Sequence, residues 1–330
     1  MADSQGPRES EHDTGRPPVD AANPSAPPPP PPGYAAPPAP QPKRTGVLSR
    51  VLGTLVSVVL LVSLIMNFYF IYIIYPLMQP GPNEVQYQAG NAQHRIVILP
   101  VEGMIDGKKA DFVRNALDKL EKNPPAGVVL RVNSGGGGVN PSDQIWHDLR
   151  TFQEEAEVPV VASFGGVAAS GGYYIAAPSD YIVAERTCIT GSIGVMAPYF
   201  TFGELLKKVG ITEEWIEAPG SPKKGVANNV FRQWTDEDRQ AVRAMLEHMH
   251  QQFVDVVVQG RAAGSKELTA DEVRGLADGR TFNAQEAKQA KLVDEVGYLD
   301  AAIAKASELA NVPQDVTPLV TEMREPEPLL

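Results

Sequence analysis

The chain has 330 residues, 43% of them hydrophobic, with a formal net charge of −11 and a single cysteine, Cys188. The acidic balance argues against a protein that grips nucleic acid through a basic face. One cysteine excludes an intrachain disulfide and a thiolate zinc cluster, and His248 and His250, two apart on a helix, point to different sides and make no metal pair.

Residues 1–45 are proline-rich, with an unbroken run from Pro27 to Pro32 and Pro-Ala repeats after it. Such a composition buries too little apolar surface to offset the entropy of ordering, so it predicts a disordered or polyproline II arm. From Val51 to Tyr75 there is no charged residue. That length suits a bilayer core about 30 Å thick and predicts one transmembrane helix over residues 47–76. Lys43, Arg44 and Arg50 flank it on the N-terminal side, whereas PLMQPGPNEVQYQ on the other side has no Lys or Arg. The positive-inside rule then puts the arm in the cytoplasm and the residues beyond Pro76 on the extracytoplasmic side, with Tyr69, Tyr72 and Tyr75 at the interface. Residues 77–93 read as a linker.

The pattern over residues 94–311 is globular, and residues 312–330 read as a tail. RIVILPVEG predicts a strand, DGKKADFVRNALDKLEK a helix and GVVLRVNS a strand ending in glycines. PSDQIWHDLRTFQEE predicts a helix capped near Ser142, VPVVASFGG a strand, and Ser170 the start of another helix. DYIVAER and CITGSIGV predict short strands, TFGELLKKVG a helix, EEWIEA a strand, and Asp236 to Gly260 a long helix. Alternating βα units imply an α/β fold with a mainly parallel sheet covered by helices.

Three strand ends carry the chemistry. RVNSGGGGV (Arg131 to Val139) offers backbone N–H groups with no side chains in the way, which suits a phosphate cradle or an oxyanion hole. The lysine and Ser/Thr of a P-loop are absent from it. The second end holds Ser170 in VAASGGYYIAA, either a helix N-cap or a nucleophile. The third, ITGSIGV, holds Ser192 between glycines. A serine nucleophile needs a base, and the chain has no GxSxG elbow and no evident His–Asp partnership; His147 has no reason to face the site. Lysine is the other available base, because burial disfavours its charged form. EAPGSPKKGVANN offers Lys223 and Lys224.

Over roughly His94 to Ala310 the chain resembles the signal peptide peptidase A (SppA) family, membrane-anchored Ser/Lys proteases with a Clp protease/crotonase-like fold. The family's strings, N-S-P-G-G, A-S-G-G-Y-Y and T-G-S-I-G-V, stand here in the same order as NSGGGG, AASGGYY and ITGSIGV. The resemblance implies that Ser170 is the nucleophile at a helix N-terminus, with Gly171 opening space beside it. It implies an oxyanion hole from Gly136, or its neighbour Gly137, together with the N–H of Ser170, and Ser192 orienting the lysine. Gly135 replaces the family's proline. The family's G-x-x-K fits Gly220-Ser221-Pro222-Lys223 upstream, while Lys224-Gly225 fits the following positions better, so both lysines remain candidates for the base.

With one set of motifs, the chain resembles the family's short form. That implies a homo-oligomeric ring, an octamer, whose neighbouring subunits share serine and lysine. Substrates would be membrane-associated peptides such as signal peptide remnants. No metal, organic cofactor or nucleic acid is implied. The alternatives are a crotonase-like CoA-binding enzyme, for which no glutamate pair stands near the glycine loops, and a catalytically inactive membrane-tethered scaffold.

Overall fold

The computed structural model describes residues 46–74, 81–221, 224–225, 229–231, 233–262 and 268–325. The proline-rich arm lies outside them. The chain divides into two units, Met1–Ile71 and Tyr72–Leu330.

The first unit carries α1 (Val47–Tyr69), which continues as a π-helical stretch, Phe70–Ile74, across the boundary at Ile71. Its polar side chains turn back on their own helix. Thr54 Oγ1 donates to the Arg50 carbonyl at 3.0 Å, and Asn67 Nδ2 to the Ser63 carbonyl at 2.7 Å. Such bonds satisfy polar groups where the surroundings offer no partner. By length and composition, Val47–Ile74 is long and apolar enough to cross a membrane. The span expected over residues 47–76 falls on this helix, residues 75 and 76 lying outside the described ones.

The second unit contains strands β1 (Asn83–Gln88), β2 (Asn91–Glu102), β3 (Gly127–Ser134), β4 (Val160–Ala169), β5 (Tyr181–Ala184), β6 (Ile189–Gly191), β7 (Thr281–Asn283), β8 (Glu295–Val296) and β9 (Pro318–Arg324). They form one sheet in the order β1-β9-β2-β3-β4-β5-β8, with β6 pairing the end of β4 and β7 pairing β6. From β9 to β8 all neighbours are parallel, whereas β1 is antiparallel on the edge.

The sheet is buried on both faces because its strands alternate between two apolar cores. Val97, Leu99 and Val101 of β2 and Val128, Leu130 and Val132 of β3 enter the larger core. Ile96, Ile98 and Val129 enter the smaller one on the other face. This is the period of two that a pleated strand imposes. Helices α2 (Gly107–Glu121), α3 (Val139–Ala156), α4 (Gly171–Ala176) and α6 (Asp236–Ala262) contribute to the larger core. Helix α9 (Leu299–Leu309) covers the smaller one with Ala302 and Ala306. The remaining described helices are α5 (Gly203–Lys208), α7 (Ala270–Leu276) and α8 (Ala284–Gln289).

Helix α6 packs closely against the end of α4. Its Gly260 lies so close to the Ala177 carbonyl that a side chain there would collide with it. The next residue, Arg261, is fully buried, bonding Asp294 at 2.8 and 3.0 Å and the Lys291 carbonyl at 2.9 and 3.1 Å. A buried guanidinium is tolerable only when paired and hydrogen-bonded in this way.

Several expectations are corrected. The supposed linker, residues 77–93, contains β1, and the supposed tail contains β9; β9 lies between β1 and β2. Ser142 is not a cap: α3 starts at Val139, and Ser142 Oγ donates back to the Gly138 carbonyl at 2.9 Å. EEWIEA forms no strand; residues 211–218 have no regular structure.

Candidate active site

Strands β3, β4 and β6 end side by side, so their carboxyl-terminal loops converge. Crevices beyond the carboxyl ends of parallel strands are where open α/β sheets build sites. Ala169 pairs with Gly191 in the last register step of β4 and β6. Ser170 and Ser192 each follow that step directly, and both have φ 52°.

Ser170 has ψ −123°, far from helical or extended values, and its side chain makes no capping hydrogen bond to α4. The N-cap reading of this serine is therefore not met. Such strain in a non-glycine residue persists only where the surroundings over-determine it. Here the Ser170 N–H donates to the Gly191 carbonyl at 2.8 Å, and its own carbonyl accepts from Tyr173 and Tyr174, both at 2.9 Å. Its Oγ has no hydrogen bond among the described residues, and the residue is partly exposed.

The tyrosines that follow anchor α4. Tyr173 OH donates to the Leu292 carbonyl at 2.8 Å, and Tyr174 OH to Asp143 at 2.7 Å. Burial raises both phenol pKa values, so the two hydroxyls stay protonated donors. Burial likewise pushes the Cys188 thiol up to about 12, which removes it as a competing nucleophile at neutral pH.

The glycine loop after β3 packs directly on Ser170. Gly136 has φ 101°, and a Cβ on it would fall 2.7 Å from the Gly171 nitrogen and 2.9 Å from Ser170 Cβ. A Cβ on Gly172 would fall 2.6 Å from the Ser134 carbonyl oxygen. A Cβ on Gly171 would strike Ser142 Oγ and come within 3.2 Å of the Gly137 nitrogen. The glycines are thus required by close approach of one backbone to another.

The expected oxyanion donors need revision. The Gly136 N–H already donates to Ser134 Oγ at 3.0 Å, and the Ser170 N–H is engaged with Gly191. Gly137 differs: its neighbours carry the bridge to Ile105, through Ile105 N–H to the Gly136 carbonyl and Gly138 N–H to the Ile105 carbonyl. The N–H groups of Gly137 and Gly171 have no acceptor among the described residues. Gly171 as a donor was missed because the sequence reading saw only the space that it leaves.

Ser192 lies beside Ser170, its N–H donating to the Arg280 carbonyl at 2.8 Å. Lys224 is not brought to either serine by any described bond. It is exposed, in a turn closed by its own N–H to the Ser221 carbonyl at 3.0 Å, and its ammonium has no partner among the described residues. Lys223 lies outside the described residues. The surrounding segment packs on itself, through Phe202 N–H to the Val230 carbonyl at 2.6 Å and the Tyr199 and Trp234 rings at 4.5 Å. It leaves Phe200 73% and Ile216 85% exposed.

Comparison with known proteins agrees with this geometry. Residues 153–313 match the model of peptidase family S49. "Protease 4" of Haemophilus influenzae is 34% identical over 234 residues, 68% of this chain and 36% of that protein. "Putative protease slr0021" of Synechocystis is 33% identical over 240 residues, 73% of this chain and 83% of that one. "Putative signal peptide peptidase SppA" of Enterococcus faecium is 32% identical over 241 residues, 68% of this chain and 67% of its own. The chain thus spans about a third of the Haemophilus protein and most of the Synechocystis one. With motifs, sheet and relatives in agreement, the chain belongs to the SppA family of S49 peptidases.

Proposed function

We propose that this chain is a membrane-anchored serine endopeptidase that hydrolyses membrane-associated peptides such as signal peptide remnants. The observation that carries the reading is Ser170, held at a strained turn, whose Oγ has no hydrogen bond among the described residues and lies beside the N–H groups of Gly137 and Gly171, which have no acceptor among them either. Ser170 Oγ attacks the scissile carbonyl while a neutral lysine, Lys224 or Lys223, takes its proton. The carbonyl oxygen becomes an oxyanion, for which Gly137 and Gly171 are the proposed donors. The lysine returns the proton to the leaving amine. Water then attacks the acyl-enzyme, giving its proton to the lysine, which passes it to Ser170 Oγ as the acyl–oxygen bond breaks and the carboxylic acid product leaves. Ser192 accepts a hydrogen bond from the lysine and orients it.

The base comes from a neighbouring subunit of a ring, an octamer in this reading. Support lies in the bare Oγ of Ser170, the exposed ammonium of Lys224 and the apolar surface of the lysine-bearing segment. A heterologous contact that closes into a ring would join the two halves and desolvate the lysine. Of Lys223→Ala and Lys224→Ala, one is expected to be as damaging as loss of the nucleophile and the other mild, since base and nucleophile act as a unit. Mixing Ser170→Ala subunits with that lysine variant should restore part of the peptide hydrolysis. Two mild lysine variants would remove lysine from the mechanism, and mixed rings without activity would confine the site to one subunit.

In this reading the arm is cytoplasmic and the protease domain lies outside; Lys43, Arg44 and Arg50 on the N-terminal flank of the span support it through the positive-inside rule. Protease added to intact cells should therefore cleave the domain and spare the arm. Protection of the domain would reverse the orientation.

A further inference from the structure

A segment far from the glycine motifs in sequence packs behind both serines. Strand β7 pairs antiparallel with β6, setting Phe282 opposite Thr190 and Thr281 opposite Gly191. The Phe282 ring, 9% exposed, lies against Gly191: a Cβ there would fall 2.5 Å from its Cδ2 and 3.0 Å from its Cε2. Gly191, at φ 78°, supplies the carbonyl that accepts the Ser170 N–H and is followed directly by Ser192. The same segment holds the next peptides, through the Arg280 carbonyl to the Ser192 N–H at 2.8 Å and Gly279 N–H to the Ile193 carbonyl at 3.1 Å. The Arg280 guanidinium sits 5.9 Å from the Phe282 ring centroid and is bound by Asp278 at 2.8 Å.

We propose that Phe282 is a positioning residue for the active site: its ring backs Gly191, which accepts the Ser170 N–H and directly precedes Ser192. The inference rests on the reading of Ser170 as nucleophile. Two serines at φ 52° need a rigid backing. Gly191 has no side chain to fill the space behind it, so the ring supplies the bulk that a glycine lacks. Without the ring, the Gly191 peptide has room to relax away from Ser170. A misplacement of about 1 Å at a reacting group costs roughly 10²-fold in rate.

The test uses the full chain in detergent and two readouts, peptide hydrolysis and the rate of acylation of Ser170 by a fluorophosphonate probe. Phe282→Leu should lower kcat and the probe's rate constant together, by about 10–100-fold, with KM unchanged. Phe282→Tyr keeps the ring and should recover most of both. If Phe282→Leu does not fold, Phe282→Met, which nearly keeps the volume and loses the flat face, is read in the same way. A merely structural role would lower Tm and leave both rates untouched well below it; that result, or a change in KM alone, overturns the proposal. No labelling of Ser170 in the wild type would instead overturn the nucleophile on which the inference rests.

Discussion

Ser170→Ala is expected to abolish peptide hydrolysis, with a fall in kcat on the order of 10⁶-fold, the scale seen when a serine nucleophile is removed. Its stability should be nearly unchanged. Loss of a true N-cap costs about 1 kcal/mol, but the Ser170 side chain caps nothing. The strain at φ 52° and ψ −123° is a backbone property that alanine would share with serine, so it adds no difference. Thermal unfolding and hydrolysis measured on one preparation check both halves. A folded variant with full activity would remove Ser170 from the chemistry, and a large loss of Tm would mean that the hydroxyl has a structural role.

Gly136→Ala should be damaging in both respects. Its φ of 101° strains any L side chain, and the added methyl would meet the Gly171 nitrogen at 2.7 Å, Ser170 Cβ at 2.9 Å and the Ala169 carbonyl at 3.0 Å. All three neighbours are on the backbone or next to it, so none can swing aside. Overpacking of this kind costs about 1–3 kcal/mol. Displacing Ser170 and the Gly171 N–H together should lower kcat by about 10²–10³-fold, the range for loss of an oxyanion donor. Gly135→Ala is the control, since nothing lies within 4 Å of a Cβ there. It should be nearly neutral, which would also make the replacement of the family's proline at this position of little consequence. Equal effects from the two variants, read from kcat and Tm, would contradict this account of the loop.

The sheet was legible where burial imposes a pattern. Alternating apolar residues in RIVIL and GVVL mark strands whose two faces enter different cores. The order of the edge was not legible, because β9 inserts between β1 and β2 from the far end of the chain, and local sequence carries no signal for such a long-range pairing. The glycines and both serines were legible as a group, but the donors were not. Which N–H is left unengaged depends on the Ile105 bridge and the Ser134 hydroxyl, and both are tertiary.

Some signals were present and went unread. Thr269 with Glu272 and Asn283 with Glu286 are capping boxes, with the polar residue and the glutamate three apart that start a helix. The second of them follows Phe282 and marks the segment that backs Ser192. EEWIEA misled because alternating apolar and acidic residues resemble a half-buried strand, yet no strand among the described residues pairs with it and Ile216 stays exposed.

The central claim is that Ser170 is the residue acylated during turnover. The most direct measurement is reaction of the detergent-solubilised full chain with a fluorophosphonate, followed by peptide mapping in a mass spectrometer. A single adduct on the peptide containing Ser170 is expected, absent from Ser170→Ala and slowed in the lysine variant that loses activity. An adduct on Ser192 or Ser134 in place of Ser170, or hydrolysis that continues with no serine modified, would contradict it.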